Sequence, residues 1–253
     1  MHKRSCAVLY ESGMVALPRG GPISRECVLK LIVFDCDGTL VDSQHMICAA
    51  MQRAYDAHGI VCPPRETVLS IVGLSLREAF DTLGCDEKGF PVETMIERYK
   101  EAFFDLRHSP AHQEPLYPGA RDSILSLAAR EDCLLGIATG KSQRGVRAIL
   151  EHHDLLSHFS TIMTADDAPS KPDPGMLLHA MRETGAQPRD TVMIGDTSYD
   201  MAMARAAGVT AIGVNWGYHA PQMLHESGAD IVLSDYAGLD AALGGLLFAR
   251  EIA

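Results

Sequence analysis

Leu29-Lys30-Leu31-Ile32-Val33-Phe34-Asp35-Cys36-Asp37-Gly38-Thr39 is the stretch on which the reading of the whole chain turns. Its first six residues form a short, largely apolar run with β-branched members, the pattern of a buried strand. Acids and a glycine follow at once, so the strand empties into a polar loop. Downstream, residues 43–113 place apolar residues at three- and four-residue spacings, and helices are expected over Gln44–His58, Arg65–Ile71, Leu76–Thr82 and Val92–Leu106. Beyond Tyr117-Pro118-Gly119 the pattern alternates. Helices over Ala120–Arg130, Arg144–Glu151, Pro174–Thr184 and Tyr199–Ala207 interleave with strands over Leu134–Ala138, Thr161–Thr164, Thr191–Ile194 and Thr210–Val214. Ile231–Leu233 reads as an edge strand and Leu239–Ala249 as a closing helix. Such alternation implies an α/β fold with a doubly wound parallel sheet and helices on both faces. The expected domains are an irregular leader (1–28, with Met14 a second candidate start), a core (29–42 and 115–253) and an inserted all-helical cap (43–114) of about 70 residues, long enough for a small domain.

Composition narrows the function. A formal charge of -11 repels nucleic acid and anionic membranes, so neither is an expected partner, and any phosphate chemistry needs a local cation. The seven cysteines form no C-x-x-C pair, which argues against zinc and suits a reducing compartment. With no apolar run long enough to span a bilayer and no signal-peptide pattern, the expected location is cytoplasmic. A monomer or a homodimer is equally compatible with these features.

In open parallel sheets ligands bind beyond the carboxyl ends of the strands, and four strand endings here are polar. At the first, Asp35 and Asp37 can converge on one site as the chain turns at Gly38; taken alone, the segment also reads as a solvated Asp-Gly turn. At the second, Thr139-Gly140-Lys141-Ser142 offers a hydroxyl and backbone N–H groups ahead of a helix, suited to phosphate oxygens. The spacing is not that of a P-loop, and Thr139 alone reads as a capping residue. At the third, Ser170-Lys171-Pro172-Asp173-Pro174 presents Lys171 from a stiff loop, either as the missing cation or as plain surface charge. At the fourth, Gly195-Asp196-Thr197-Ser198-Tyr199-Asp200 sets two carboxylates four residues apart, able to share a cation or to cap the following helix.

These motifs, in this order and each behind an expected strand, resemble those of the haloacid dehalogenase superfamily from about Leu29 to Ser234. The helical insertion after the first motif resembles the cap of its phosphoglycolate phosphatase-like and β-phosphoglucomutase-like branch. The resemblance implies a Rossmann-like core and a Mg²⁺-dependent phosphatase acting on a small phosphorylated metabolite. Asp35 would be the nucleophile and Asp37 the general acid/base. Thr139, Gly140 and Lys171 would bind the phosphoryl group. Asp35, the Asp37 carbonyl, Asp196 and Asp200 would hold the metal. Arg77, in Ile71-Val72-Gly73-Leu74-Ser75-Leu76-Arg77-Glu78, resembles a residue of the cap's specificity loop, or else is simply the neighbour of Glu78 on a solvated helix. An acid two residues after the nucleophile favours phosphoryl transfer over carbon–halogen chemistry; a phosphomutase and a non-catalytic binding protein of the same fold are the alternatives. Ser43 is expected to cap the first cap helix, His45 to be a partly exposed helix residue, and Trp216 to pack beside the site.

Overall fold

The computed structural model describes residues 29–85, 87–107 and 114–248; the leader and Ala249 lie outside them. Strand β1 (Lys30–Phe34) is buried along its whole length. That burial follows from its place in the sheet, where it pairs in parallel with β2 (Cys133–Thr139) on one side and β4 (Thr191–Gly195) on the other. With β3 (Thr161–Thr164), β5 (Thr210–Val214) and β6 (Ile231–Leu233) the order is β3-β2-β1-β4-β5-β6, all parallel.

Successive residues of a strand face opposite ways, and the two cores divide accordingly. Ile32, Phe34, Ile137 and Ile194 point into one cluster, covered by α5 (Ala120–Ala128), α6 (Gln143–His152) and α10 (Leu239–Leu243). Leu31, Val33 and Met193 point into the other, covered by α7 (Gly175–Thr184), α8 (Ser198–Ala207) and α9 (Pro221–Glu226). Strand order reverses between β1 and β4. Register aligns Phe34 with Ile137 and with Ile194, so the polar residues after all three strands emerge at one edge of the sheet.

Between β1 and β2 the chain forms α1 (Gln44–Ala57), α2 (Arg65–Ser70), α3 (Leu76–Leu83) and α4 (Val92–Arg107). Their inward faces make a separate core around Met46, Ala50, Tyr55, Phe80, Met95 and Tyr99. The insertion touches the sheet's carboxyl edge at few places. Ser70 carbonyl accepts from Tyr199 Oη at 3.2 Å and from His219 Nε2 at 3.0 Å, and Ser75 N–H donates to Ser170 Oγ at 2.8 Å. Gly140 is required here, because a Cβ on it would lie 2.6 Å from Gly73 oxygen and 2.4 Å from Leu74 oxygen.

Differences from the sequence expectation have local causes. α6 begins at Gln143 because the Ser142 hydroxyl accepts from Gly145 N–H. The closing helix widens into π-type turns over Gly244–Phe248, where two glycines weaken the α-helical backbone. α9, with Leu224 its one buried residue, was not anticipated. Ser43 does not cap α1: its backbone lies at φ -100°, ψ 4°, away from the extended capping geometry, and its hydroxyl turns elsewhere.

Candidate active site

β1 delivers Asp35 to the crevice where strand order reverses, its N–H held by Ile194 carbonyl at 2.9 Å. Gly38, at φ +86°, then folds the chain back; a Cβ there would sit 2.3 Å from Asp196 Oδ2. β4 delivers Asp196, whose Oδ1 accepts from Thr39 Oγ1 and whose Oδ2 accepts from Tyr218 N–H, each at 2.9 Å. Asp200 enters from the first turn of α8, where Thr197 and Asp200 form a reciprocal capping box. Lys171, from the loop before α7, lies 2.9 Å from Asp35 Oδ1 and 2.6 Å from Asp200 Oδ1, and is only 1% exposed, so it is not surface charge.

Ligand atoms of Asp35, Asp196 and Asp200 all lie within 4.8 Å of one another. When all three are ionised, Asp35, Asp196 and Asp200 exceed the single Lys171 ammonium by two negative charges, the charge of one divalent cation. Despite the ion pair, neither Asp35 oxygen accepts a well-directed hydrogen bond. Burial pushes the Asp35 carboxyl up to about 7 against the pull of Lys171, and burial with the charges of Asp35 and Asp200 raises Asp196 well above its ordinary range. Burial tends to lower the Lys171 ammonium, but Asp200 and Asp35 outweigh it and raise it. An orphaned carboxylate crowded by two others fits a hard cation with oxygen ligands. Asp200 is the least available of the three, since Oδ1 takes Lys171 and Oδ2 takes Thr197.

Asp37 stands apart from this cluster. Lys141 Nζ donates to both of its oxygens, at 2.8 and 3.1 Å, and Ser43 Oγ donates to Oδ1 at 2.6 Å. Its side chain is therefore not among the cation-facing carboxylates. Thr139, at the end of β2, is buried, and its hydroxyl accepts from Lys141 N–H at 3.3 Å. A cavity of about 630 Å³ opens between this sheet edge and the insertion, reached by Asp35, Asp37, Thr139, Gly140 and Lys141 from below. Its roof includes Ile47, Met51, Ile96, Phe103 and Phe104. Arg77 lines the cavity but is exposed and paired with Glu93 of α4, not with Glu78. His45 is exposed, and Trp216 donates to Thr39 carbonyl while packing on Tyr117 and Tyr236.

Lys141, Glu114 and Tyr218 were not singled out in the sequence. Lys141 stood in view beside Thr139-Gly140. Glu114 and Tyr218 sit in segments without a motif, and only the folded chain brings Tyr218 N–H to Asp196 and Glu114 to within 3.2 Å of Lys141.

Residues 32–214 match the family model described as haloacid dehalogenase-like hydrolase. The chain is 33% identical to a probable phosphatase, IndB, of Dickeya dadantii, over 86% of this chain and 94% of that protein. It is 34% identical to a phosphoglycolate phosphatase of Chromobacterium violaceum, over 83% of this chain and 95% of that one. Among solved structures, a hydrolase from Pseudomonas syringae superposes with a TM-score of 0.76 at 28% identity, covering 86% of this chain and 99% of that one.

Proposed function

The chain belongs to the haloacid dehalogenase-like hydrolase family, and we propose that it is a Mg²⁺-dependent phosphatase that hydrolyses a small phosphomonoester through an aspartyl-phosphate on Asp35. The observation that carries this reading is the buried Asp35, whose oxygens lack hydrogen bonds, set within one cluster with Asp196, Asp200 and Lys171.

An Asp35 oxygen attacks phosphorus, the bond to the leaving oxygen breaks, and that oxygen takes a proton from Asp37. Water then attacks the aspartyl-phosphate, giving its proton to Asp37 as the phosphorus–Asp35 bond breaks and inorganic phosphate leaves. Thr139 hydroxyl and Gly140 N–H would hold phosphoryl oxygens, and Lys171 would offset charge on Asp35 and the phosphoryl group. Asp35, the Asp37 carbonyl and Asp196 would hold Mg²⁺, with Asp200 orienting Lys171 or reaching the ion through water. The ion supplies neutralisation of the charge shared by nucleophile and phosphate.

The insertion acts as a cap that excludes water and selects the substrate's non-phosphate part. Arg77 contributes to selection only by leaving Glu93. Among the described residues no helix is long and apolar enough to cross a membrane, and we place the enzyme in the cytoplasm.

The test is phosphate release from a panel of phosphomonoesters with Mg²⁺ or with EDTA, wild type beside Asp35→Asn. Metal-dependent release by the wild type alone supports the reading. No release from any member, with isomerisation of a sugar phosphate instead, moves the function to a phosphomutase.

A further inference from the structure

We infer that Lys141, anchored by Glu114, is the positioning residue for Asp37. The inference rests on the proposed acid/base role of Asp37. Lys141 comes from the loop between β2 and α6, and its side chain is 9% exposed. Nζ meets both Asp37 oxygens, Glu114 Oε1 at 3.2 Å and, at 4.9 Å, the ring of Phe103 in α4. Glu114 lies on the segment returning from the insertion, with its side chain 3% exposed. Its Oε2 accepts from Arg107 Nε at 3.2 Å and Nη2 at 3.0 Å. Arg107 ends α4 and lies over Phe103 at 5.3 Å. An unbroken chain of charge, Arg107–Glu114–Lys141–Asp37, thus runs from the insertion to the acid/base carboxylate.

A buried ion pair is poor evidence for stability, because desolvation offsets most of the attraction; what it does supply is a fixed geometry. Glu114 Oε1, on the other side of Nζ from Asp37, sets the direction in which the Lys141 ammonium points. Asp37 directly precedes Gly38, where the backbone turns at φ +86°. Lys141 and Ser43 supply the donors that fix where its carboxylate points. Because Glu114 and Arg107 belong to the insertion and its return, the direction of Asp37 depends on how the insertion is seated.

The test compares wild type with Lys141→Met and with Lys141→Met/Glu114→Gln, the second removing the carboxylate the first leaves without its ammonium. The comparison uses kcat/KM, which covers steps through the first phosphoryl transfer, for an alkyl phosphate and for p-nitrophenyl phosphate. Loss of a positioned acid lowers the alkyl ester's value by about 100-fold but that of the ester with the activated leaving group by less than about 10-fold. Crystal structures of wild type and double variant supply the second reading, with the Asp37 carboxylate expected to leave its wild-type place. Equal loss for both esters with Asp37 unmoved overturns the inference and makes Lys141 a substrate-binding or structural group. If the wild type hydrolyses no phosphomonoester, the phosphatase reading falls, and the crystallographic comparison alone decides whether Lys141 holds Asp37.

Discussion

The two walls of the cavity are built on different principles. The lower wall is the carboxyl edge of the sheet, where register fixes Asp35, Thr139 and Asp196 and neighbouring loops add Lys171 and Asp200, nearly all of it buried and charged. The upper wall is the helical insertion, with its own core, an apolar roof and a handful of hydrogen bonds to the sheet. Groups that must meet a reacting atom are best held by rigid strand ends, whereas a surface that must open and admit varied molecules is better attached loosely. If the proposed function holds, the contrast separates chemistry from selection in this molecule, except where Lys141 and Glu114 join the two walls.

The sharpest way to break that division is to disturb the lower wall. Lys171→Met leaves Asp35 and Asp200 buried without their ammonium; the expected cost is about 3–5 kcal/mol of stability, read by denaturant unfolding, together with loss of turnover on every substrate. Turnover that survives would detach Lys171 from the chemistry. Gly140→Ala attacks the seam instead. Its methyl meets backbone oxygens of Gly73 and Leu74 that cannot swing aside, so the insertion must shift, and kcat should fall about 100-fold while circular dichroism stays native.

A metal titration sharpens the lower wall's electrostatics. Asp35 in the fold lies near 7, above its ordinary 3.8, so between those values the folded chain holds a proton that the unfolded chain has released. The metal-free protein therefore loses stability as pH rises from about 4 to about 7. Mg²⁺ favours the ionised carboxylates, so its addition should raise Tm by a few degrees at pH 8 and by less at pH 5. An equal gain at both would place the ion elsewhere. The smallest effect belongs to the upper wall. Phe104→Ala, at a half-exposed roof position, should raise KM about 3-fold for bulky substrates and leave kcat unchanged.

This contrast also governs how much the sequence disclosed. The six strands and the four insertion helices were legible because apolar runs and helical periods are local, and the polar residues after the strands marked the sheet edge. Asp35 and Asp196 could be singled out because each follows a strand end, and Lys171 because Pro172 and Pro174 mark a stiff loop before a helix. The partner of Asp37 could not be, since Lys141 is 104 residues away and a lysine beside glycine carries no signal of its burial. Nor could the double duty of Asp200, which both caps α8 and holds Lys171. Ser43 looked like a cap because serine before a helix usually is one; its attraction to Asp37 and, at 3.1 Å, to Tyr218 exists only in the folded chain.

Covalent chemistry on Asp35 is tested most directly with Asp37→Asn and p-nitrophenyl phosphate. The activated leaving group makes the first step independent of an acid, while the second step lacks its base. Rapid acid quenching followed by peptide mass spectrometry should then find a phosphoryl group accumulated on the peptide carrying Asp35. Nitrophenolate released catalytically, with no phosphoryl group on that peptide at any quench time, would contradict the account.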